Sequence, residues 1–345
     1  MINETQRDLA ASGQAREIDE ISAGVGRPAG KPSSQIVQAS NDARVLSLPE
    51  LKMRRGIGQL LERCRRYTEL EVAFDETDGV VWCYMNSADR PSDPVILARE
   101  SRDLQIAIKQ LSEDLASAGD FPIRYMVWCS NTPGVFSLGA DLRRFAALIW
   151  NQDREALADY AINSIDVLHA NATSIDLPII TVSLVEGDAF GGGFETAISS
   201  NLVFADHAAR FALPELQFNL FPGMGLYSIV ARRLSAAQAE RMILSGRVYR
   251  GGELKEMGLV DELAEPGLAR AAASDYIARY SQRHKTQCAV YKAGRRINPI
   301  EYDELYDLAM LWVDTALALG ETDPDMVQRL MDGDDRRFIN KNRES

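Results

Sequence analysis

The chain is poor in the side chains that most often carry metal and nucleophile chemistry. Its 345 residues hold three histidines, His169, His207 and His284, and none stands at ligand spacing from another. A dedicated zinc site is therefore not expected. The four cysteines, Cys64, Cys83, Cys129 and Cys288, lie far apart without a C-x-x-C pair, which reads as reduced core or surface thiols. No G-x-S-x-G elbow occurs, so a Ser-His-Asp hydrolase finds little support. No run approaches the ~18 consecutive apolar residues of a membrane span. The opening "MINETQRDLAASGQAREIDE" lacks the apolar centre of a secretory signal. The expectation is a cytoplasmic protein whose catalysis rests on carboxylates and backbone groups.

Acidic residues outnumber basic ones, 50 to 38, for a net charge of −12. That balance argues against a nucleic-acid partner held by bulk electrostatics. At long range it also disfavours an acidic partner such as an acyl carrier protein. Local clusters such as Arg143-Arg144 and Arg232-Arg233 remain able to receive phosphates. The composition, 46% hydrophobic and 26% charged, is that of a globular protein. The length admits two or three domains, or one large α/β unit with appended tails.

Residues 1–45 are rich in Ser, Gly, Ala, Gln and charge, and read as a disordered extension. Their "GVG" lacks the preceding strand and following helix of a dinucleotide fingerprint. The ordered core is expected to begin near "YTELEVAFDETDGVVWCYMN", which patterns as a hairpin. "SRDLQIAIKQLSEDLASAG" places Leu104, Ile108, Leu111 and Leu115 on one helical face, closed by Gly119. A strand, "IRYMVWCS", leads into a loop, "NTPGVFSLGADLRRF". "REALADYAINSIDVLHAN" is a helix presenting Leu157, Ala161, Ile165 and Leu168. Short strands follow at "NLVFAD" and "ARFALP", and Ser235 with Gln238 marks a helix start. From 268 onward the pattern is helical, with Leu305, Leu308, Trp312, Ala316 and Leu319 on one stripe. The division is thus an α/β core over 46–267 and a helical module over 268–345.

Three places combine chemically. In "VEGDAFGGGFETAISS" a buried strand meets three glycines, Gly191, Gly192 and Gly193, and then a helix with Glu195 just inside. Glycines permit close approach, and a helix start offers unpaired N–H groups and a positive dipole end. The same glycines equally suit tight strand–helix packing. In "GVFSLGADL", Leu138 and Gly139 can supply a second N–H. In "ARFALPELQFNLFPGMG", Glu215 follows Pro214 among apolar neighbours, where a carboxylate is costly unless paired, protonated or wet. Pro214 opening a helix with Glu215 in its first turn needs no function. Together, two N–H donors and two carboxylates make a set for chemistry beside a thioester carbonyl.

The ordered set "FSLGADL", "GDAFGGGFE", "ARFALPEL" and "LSGRVYRGGELKEMGLVDEL", over about residues 68–265, resembles the crotonase (enoyl-CoA hydratase/isomerase) superfamily. The resemblance implies an α/β fold of ββα turns wound into a spiral, with a C-terminal helical part that helps form trimers or hexamers. It implies an oxyanion hole from the N–H groups of Leu138 and Gly192, acid/base work by Glu195 and Glu215, and no metal or redox cofactor. A narrower likeness, in "ARFALPELQFNLFPGMGLYSIVARRL" and "YDELYDLAMLWVDTALALGETDPDMVQRL", is to the diffusible signal factor synthases. It implies dehydration of a 3-hydroxyacyl thioester on acyl carrier protein to the cis-2-enoyl thioester, then hydrolysis to the free acid. Met224, Trp312 and Leu330 would line the acyl pocket, with Gly139, Phe190 and Gly191 near the thioester. A cognate sensor protein is a further implied partner. The alternatives are an enoyl-CoA hydratase working on a CoA thioester, and a crotonase-fold regulatory protein. Many hydratases carry a small residue where this chain has Leu138.

Overall fold

In the computed structural model the described residues are 47–86, 90, 92–117 and 121–331, without the side chains at 320, 321 and 329–331. The N-terminal extension and Gly119 lie outside them. Order begins earlier than the hairpin. Helix α1 (Leu48–Cys64) is started by a capping box in which Ser47 and Glu50 exchange hydrogen bonds. Its buried residues Ile57, Leu60 and Cys64 recur at helical spacing. The S-x-x-E signature at 47–50 was the available cue.

The expected hairpin is present. Strands β1 (Leu70–Asp75) and β2 (Val80–Met85) pair antiparallel across a turn at Gly79. Helix α2 (Pro94–Asp114) starts before the expected position because the Asp93 carboxylate caps it and Pro94 opens it.

The segment read as one loop after β3 (Tyr125–Ser130) is instead β4 (Gly134–Ser137) and α3 (Leu142–Trp150). The Asp141 carboxylate caps α3, accepting from the N–H groups of Arg143 and Arg144. A four-residue strand is too short for periodicity to reveal. Helix α4 (Arg154–Ala172) buries the predicted face.

Each following turn repeats one plan, with one strand for each of two sheets. β5 (Ile180–Val185) and β6 (Gly187–Phe190) lead into α5 (Gly192–Ser199). β7 (Leu202–Asp206) and β8 (Arg210–Ala212) lead into a 3₁₀ turn at Pro214–Phe218, then α6 (Leu226–Arg233) and α7 (Ala236–Ser245). β9 (Tyr249–Arg250), α8 (Gly251–Met257) and β10 (Glu262–Ala264) complete the winding. The larger sheet has the order β1-β2-β3-β5-β7-β10 and the smaller β4-β6-β8-β9. Apart from the antiparallel pairs β1–β2 and β8–β9, the ladders are parallel. This is the mixed α/β crotonase winding with a helical C-terminal region.

The larger sheet is covered on both faces. Along β3, Met126 and Trp128 join the main core, while Tyr125, Val127 and Cys129 face a second cluster with Ala273 and Ile277. Those last two belong to α9 (Ala269–Tyr280), which is followed by α10 (His284–Ile297), α11 (Tyr302–Thr322) and α12 (Pro324–Met331). α9 packs on β5 and β7, α11 on α3 and α4, and α12 on α3. The boundary expected at 267/268 is therefore no break in packing. The α11 stripe buries Leu305, Ala309, Trp312, Val313, Ala316 and Leu319, with Leu308 half-buried. No helix among the described residues is long and apolar enough to cross a membrane.

Candidate active site

The three sequence motifs converge because they leave the carboxyl ends of neighbouring strands. Leu138 follows β4, Gly192 follows β6, and Glu215 lies just beyond β8. The Gly191 N–H donates to Ala212 O at 2.9 Å, continuing the β6–β8 ladder past the strand end. A buried bidentate pair fixes the same two strands lower down. Arg210 Nε and Nη2 donate to the Asp188 carboxylate at 2.8 and 2.5 Å.

Each of the three glycines is met by a different neighbour. A Cβ on Gly193 would fall 2.2 Å from Ser137 O, so α5 packs directly on the end of β4. That glycine is there for packing. A Cβ on Gly191, whose φ is +51°, would fall 2.6 Å from Glu215 Oε1, and one on Gly192 2.8 Å from Met224 Sδ. Those two clear space at the site. Gly139, with φ +78°, brings its loop so close that a Cβ would sit 3.0 Å from Gly192 N and 2.8 Å from Phe190 O. The Leu138–Gly139 loop and the start of α5 are thus in direct contact. Gly192, first in α5, has no carbonyl one turn earlier in the helix for its N–H.

Both carboxyls stand in one cavity of about 160 Å³, which Leu138, Gly139, Gly191, Gly192, Met224 and Trp312 also line. Glu195 is 2% exposed. Its Oε1 accepts from the N–H groups of Met224 and Leu226, at 2.9 and 3.0 Å. Burial pushes this carboxyl up, to about 7, although the N–H groups of Leu226, Met224 and Gly225 pull it down. Glu215, in the turn opened by Pro214, is raised by burial and then by the Glu195 charge, to about 8. Its Oε2 is buried with no hydrogen-bond partner among the described residues. Burial opposes the charge on both, while two N–H donors hold the Glu195 anion and none is given to Glu215 Oε2 among the described residues.

Of two further expected contacts, one falls elsewhere and one lies outside the described residues. Phe190 does not line the cavity; its ring stands 5.5 Å from the Arg210 guanidinium carbon, because it pairs with Ala212 and so shares a face of the smaller sheet with Arg210. Leu330 lies in α12, and its side chain is outside the described residues. Other cavity walls were not anticipated. Leu97 comes from α2, Phe145 from α3, and Tyr160 and Ser164 from α4. The Tyr160 phenol is held above its ordinary value by burial, then by the two carboxylates, so it stays neutral. The cue was a second stripe on α4, where Tyr160, Ser164, Val167 and Asn171 recur at i, i+4, i+7 and i+11.

The raised Glu215 carboxyl gives a pH prediction. Between the ordinary value of 4.5 and about 8, the unfolded chain has released a proton that the folded chain still holds. Stability therefore falls as pH rises through that window. Glu195 contributes in the same direction between 4.5 and about 7. Thermal melts from pH 5 to 9 are expected to show a declining Tm for wild type and a flatter profile for Glu215→Gln. Parallel profiles would contradict a buried, protonated Glu215.

The enoyl-CoA hydratase/isomerase family profile matches residues 96–290, so the chain belongs to that family. It is 29% identical over 159 residues to methylglutaconyl-CoA hydratase, mitochondrial, of Rattus norvegicus, covering 46% of this chain and 48% of that protein. The Homo sapiens protein of that name is also 29% identical, over 46% and 45%. The chain thus spans about half the length of the curated relatives it matches. Among solved structures, an enoyl-CoA hydratase from Bacillus halodurans superposes with TM-score 0.62 at 18% identity, over 76% of this chain and 99% of that one. Human mitochondrial delta3-delta2-enoyl-CoA isomerase gives 0.58 at 18%, over 80% and 99%. At these identities the structures speak for the fold.

Proposed function

We propose that this site dehydrates a 3-hydroxyacyl thioester to the 2-enoyl thioester and then hydrolyses it, releasing a cis-2-unsaturated fatty acid. The observation that carries the reading is the pair of carboxyls raised to near neutrality in one cavity that Leu138 and Gly192 also line. Ionised Glu215 removes the α-proton, and the electron pair passes into an enolate whose oxygen meets the N–H groups of Leu138 and Gly192. Protonated Glu195 gives its proton to the departing 3-hydroxyl. The C–O bond breaks, water leaves and the C2=C3 bond forms.

Glu215 is then protonated and Glu195 ionised, its anion held by the N–H groups of Met224 and Leu226. A water molecule next attacks the thioester carbon, giving a proton to Glu195 while Glu215 protonates the leaving thiol. The two steps return the pair to its starting state. Apolar walls from Leu97, Phe145 and Trp312 suit a medium-length acyl chain. The thioester carrier is acyl carrier protein in this reading, and no metal or redox cofactor takes part.

The second reading is addition of water to a 2-enoyl-CoA, as the names of the relatives suggest. The N–H groups of Met224 and Leu226 favour it, since they hold an anionic base at Glu195 and leave Glu215 as the acid. Product analysis separates the two. The first reading expects free cis-2-enoic acid from a 3-hydroxyacyl carrier-protein substrate, read by mass spectrometry. Only 3-hydroxyacyl-CoA from trans-2-enoyl-CoA, with no free acid, would leave the second.

A further inference from the structure

The Glu195 carboxylate is held by a bend, and the bend is held by a helix that also walls the cavity. The N–H donors to Oε1 belong to Met224 and Leu226, within the run Gly223-Met224-Gly225-Leu226 that opens α6. Both glycines of this run press on α11. A Cβ on Gly223 would fall 2.4 Å from Trp312 Cγ and 2.6 Å from Cδ1. On Gly225, whose φ is +121°, it would fall 2.7 Å from Leu305 Cδ2. Leu305 is fully buried and is not among the residues lining the cavity. Trp312 does line it, stacked on Phe145 with ring centroids 4.7 Å apart.

We propose that Leu305 and Trp312 are positioning residues for Glu195. By seating the 223–226 bend they aim its N–H groups, and so decide which of the two carboxyls keeps the proton. What fills the space against Trp312 is thereby linked to protonation beside the reacting carbons. This rests on the acid/base reading of Glu195 given above.

The direction of the effect is specific. N–H donors favour the anion, so a loosened bend raises the Glu195 midpoint. A more neutral Glu195 repels the Glu215 charge less, and the Glu215 midpoint falls. If a substitution merely admitted water, burial would weaken for both and both would fall.

Glutamate carboxyls labelled with carbon-13 can be titrated by NMR in the full chain, assigned with Glu195→Gln and Glu215→Gln. Trp312→Ala removes Cγ and Cδ1, whereas Trp312→Phe keeps the atoms that touch Gly223. Leu305→Val shortens the other contact and carries the test if the alanine variant does not fold. The expected result is a Glu195 midpoint about one pH unit higher, the scale of one lost charge-assisted hydrogen bond, in Trp312→Ala and Leu305→Val. Glu215 should move the opposite way, and Trp312→Phe should match wild type. Unmoved midpoints in Leu305→Val, or both falling together, would overturn the proposal. The opposed shifts in a protein that turns over no acyl thioester would sustain the positioning role and remove the functional reading instead.

Discussion

Glu195→Gln and Glu215→Gln are each expected to lower kcat by roughly 10²–10⁴-fold, the usual contribution of a positioned acid or base. The Glu195 change tests chemistry rather than architecture. A glutamine carbonyl at Oε1 still accepts from Met224 and Leu226, so the bend keeps its anchor. At Glu215 the substitution places a neutral group of the same shape where burial opposes the charge, against Gly191. Because the two act on one proton inventory, the double variant should fall little below the worse single variant. Steady-state rates on a 3-hydroxyacyl and a 2-enoyl thioester decide the matter, with circular dichroism confirming the fold. Loss of less than tenfold in both single variants would remove the pair from the mechanism.

Gly139→Ala should cost about as much through a different cause. The residue has φ +78°, a region that costs an L side chain about 1–2 kcal/mol. Its Cβ would also crowd Gly192 N at 3.0 Å and Phe190 O at 2.8 Å. Relief of that crowding has to part the Leu138 loop from the start of α5, and so spread the two N–H groups proposed as oxyanion donors. Loss of one such donor lowers kcat roughly 10²–10³-fold. Gly134 supplies the control. It has φ +72°, and a Cβ there meets nothing within 4 Å. Gly134→Ala should therefore show the conformational cost in urea melts with kcat near wild type, whereas Gly139→Ala shows both. Equal kcat in the two variants would mean the close approach has no part in catalysis.

The strand-end motifs were legible because each packs its chemistry into a few contiguous residues. Glu195 four positions beyond Gly191, and Glu215 after Pro214, need only local backbone geometry to reach the site. The walls were harder to read. Leu97 and Tyr160 come from helices whose polar–apolar pattern fits more than one face, and only packing selects among them. The donors to Glu195 are backbone N–H groups of Met224 and Leu226, and a main-chain donor leaves no mark in side-chain identity. The short β4 and the capping box of α1 fall between these cases, since one lacks periodicity and the other carries a four-residue signature. The place of the Phe190 ring is not legible, because adjacency to Gly191 in the chain does not say which way a strand-end side chain turns.

Under the proposed acyl-thioester chemistry, the order β4-β6-β8 has a consequence for how a substrate is measured. Neighbouring strands in a sheet stand about 4.8 Å apart, whatever their side chains. The Leu138 loop, the Gly192 helix start and the turn carrying Glu215 are therefore spaced by the pitch of a hydrogen-bonded ladder, as marks on a ruler. Residues around the cavity can be recoded for longer, shorter or bulkier acyl groups. The interval between the carbonyl oxygen and the carbon that exchanges its proton belongs to the backbone.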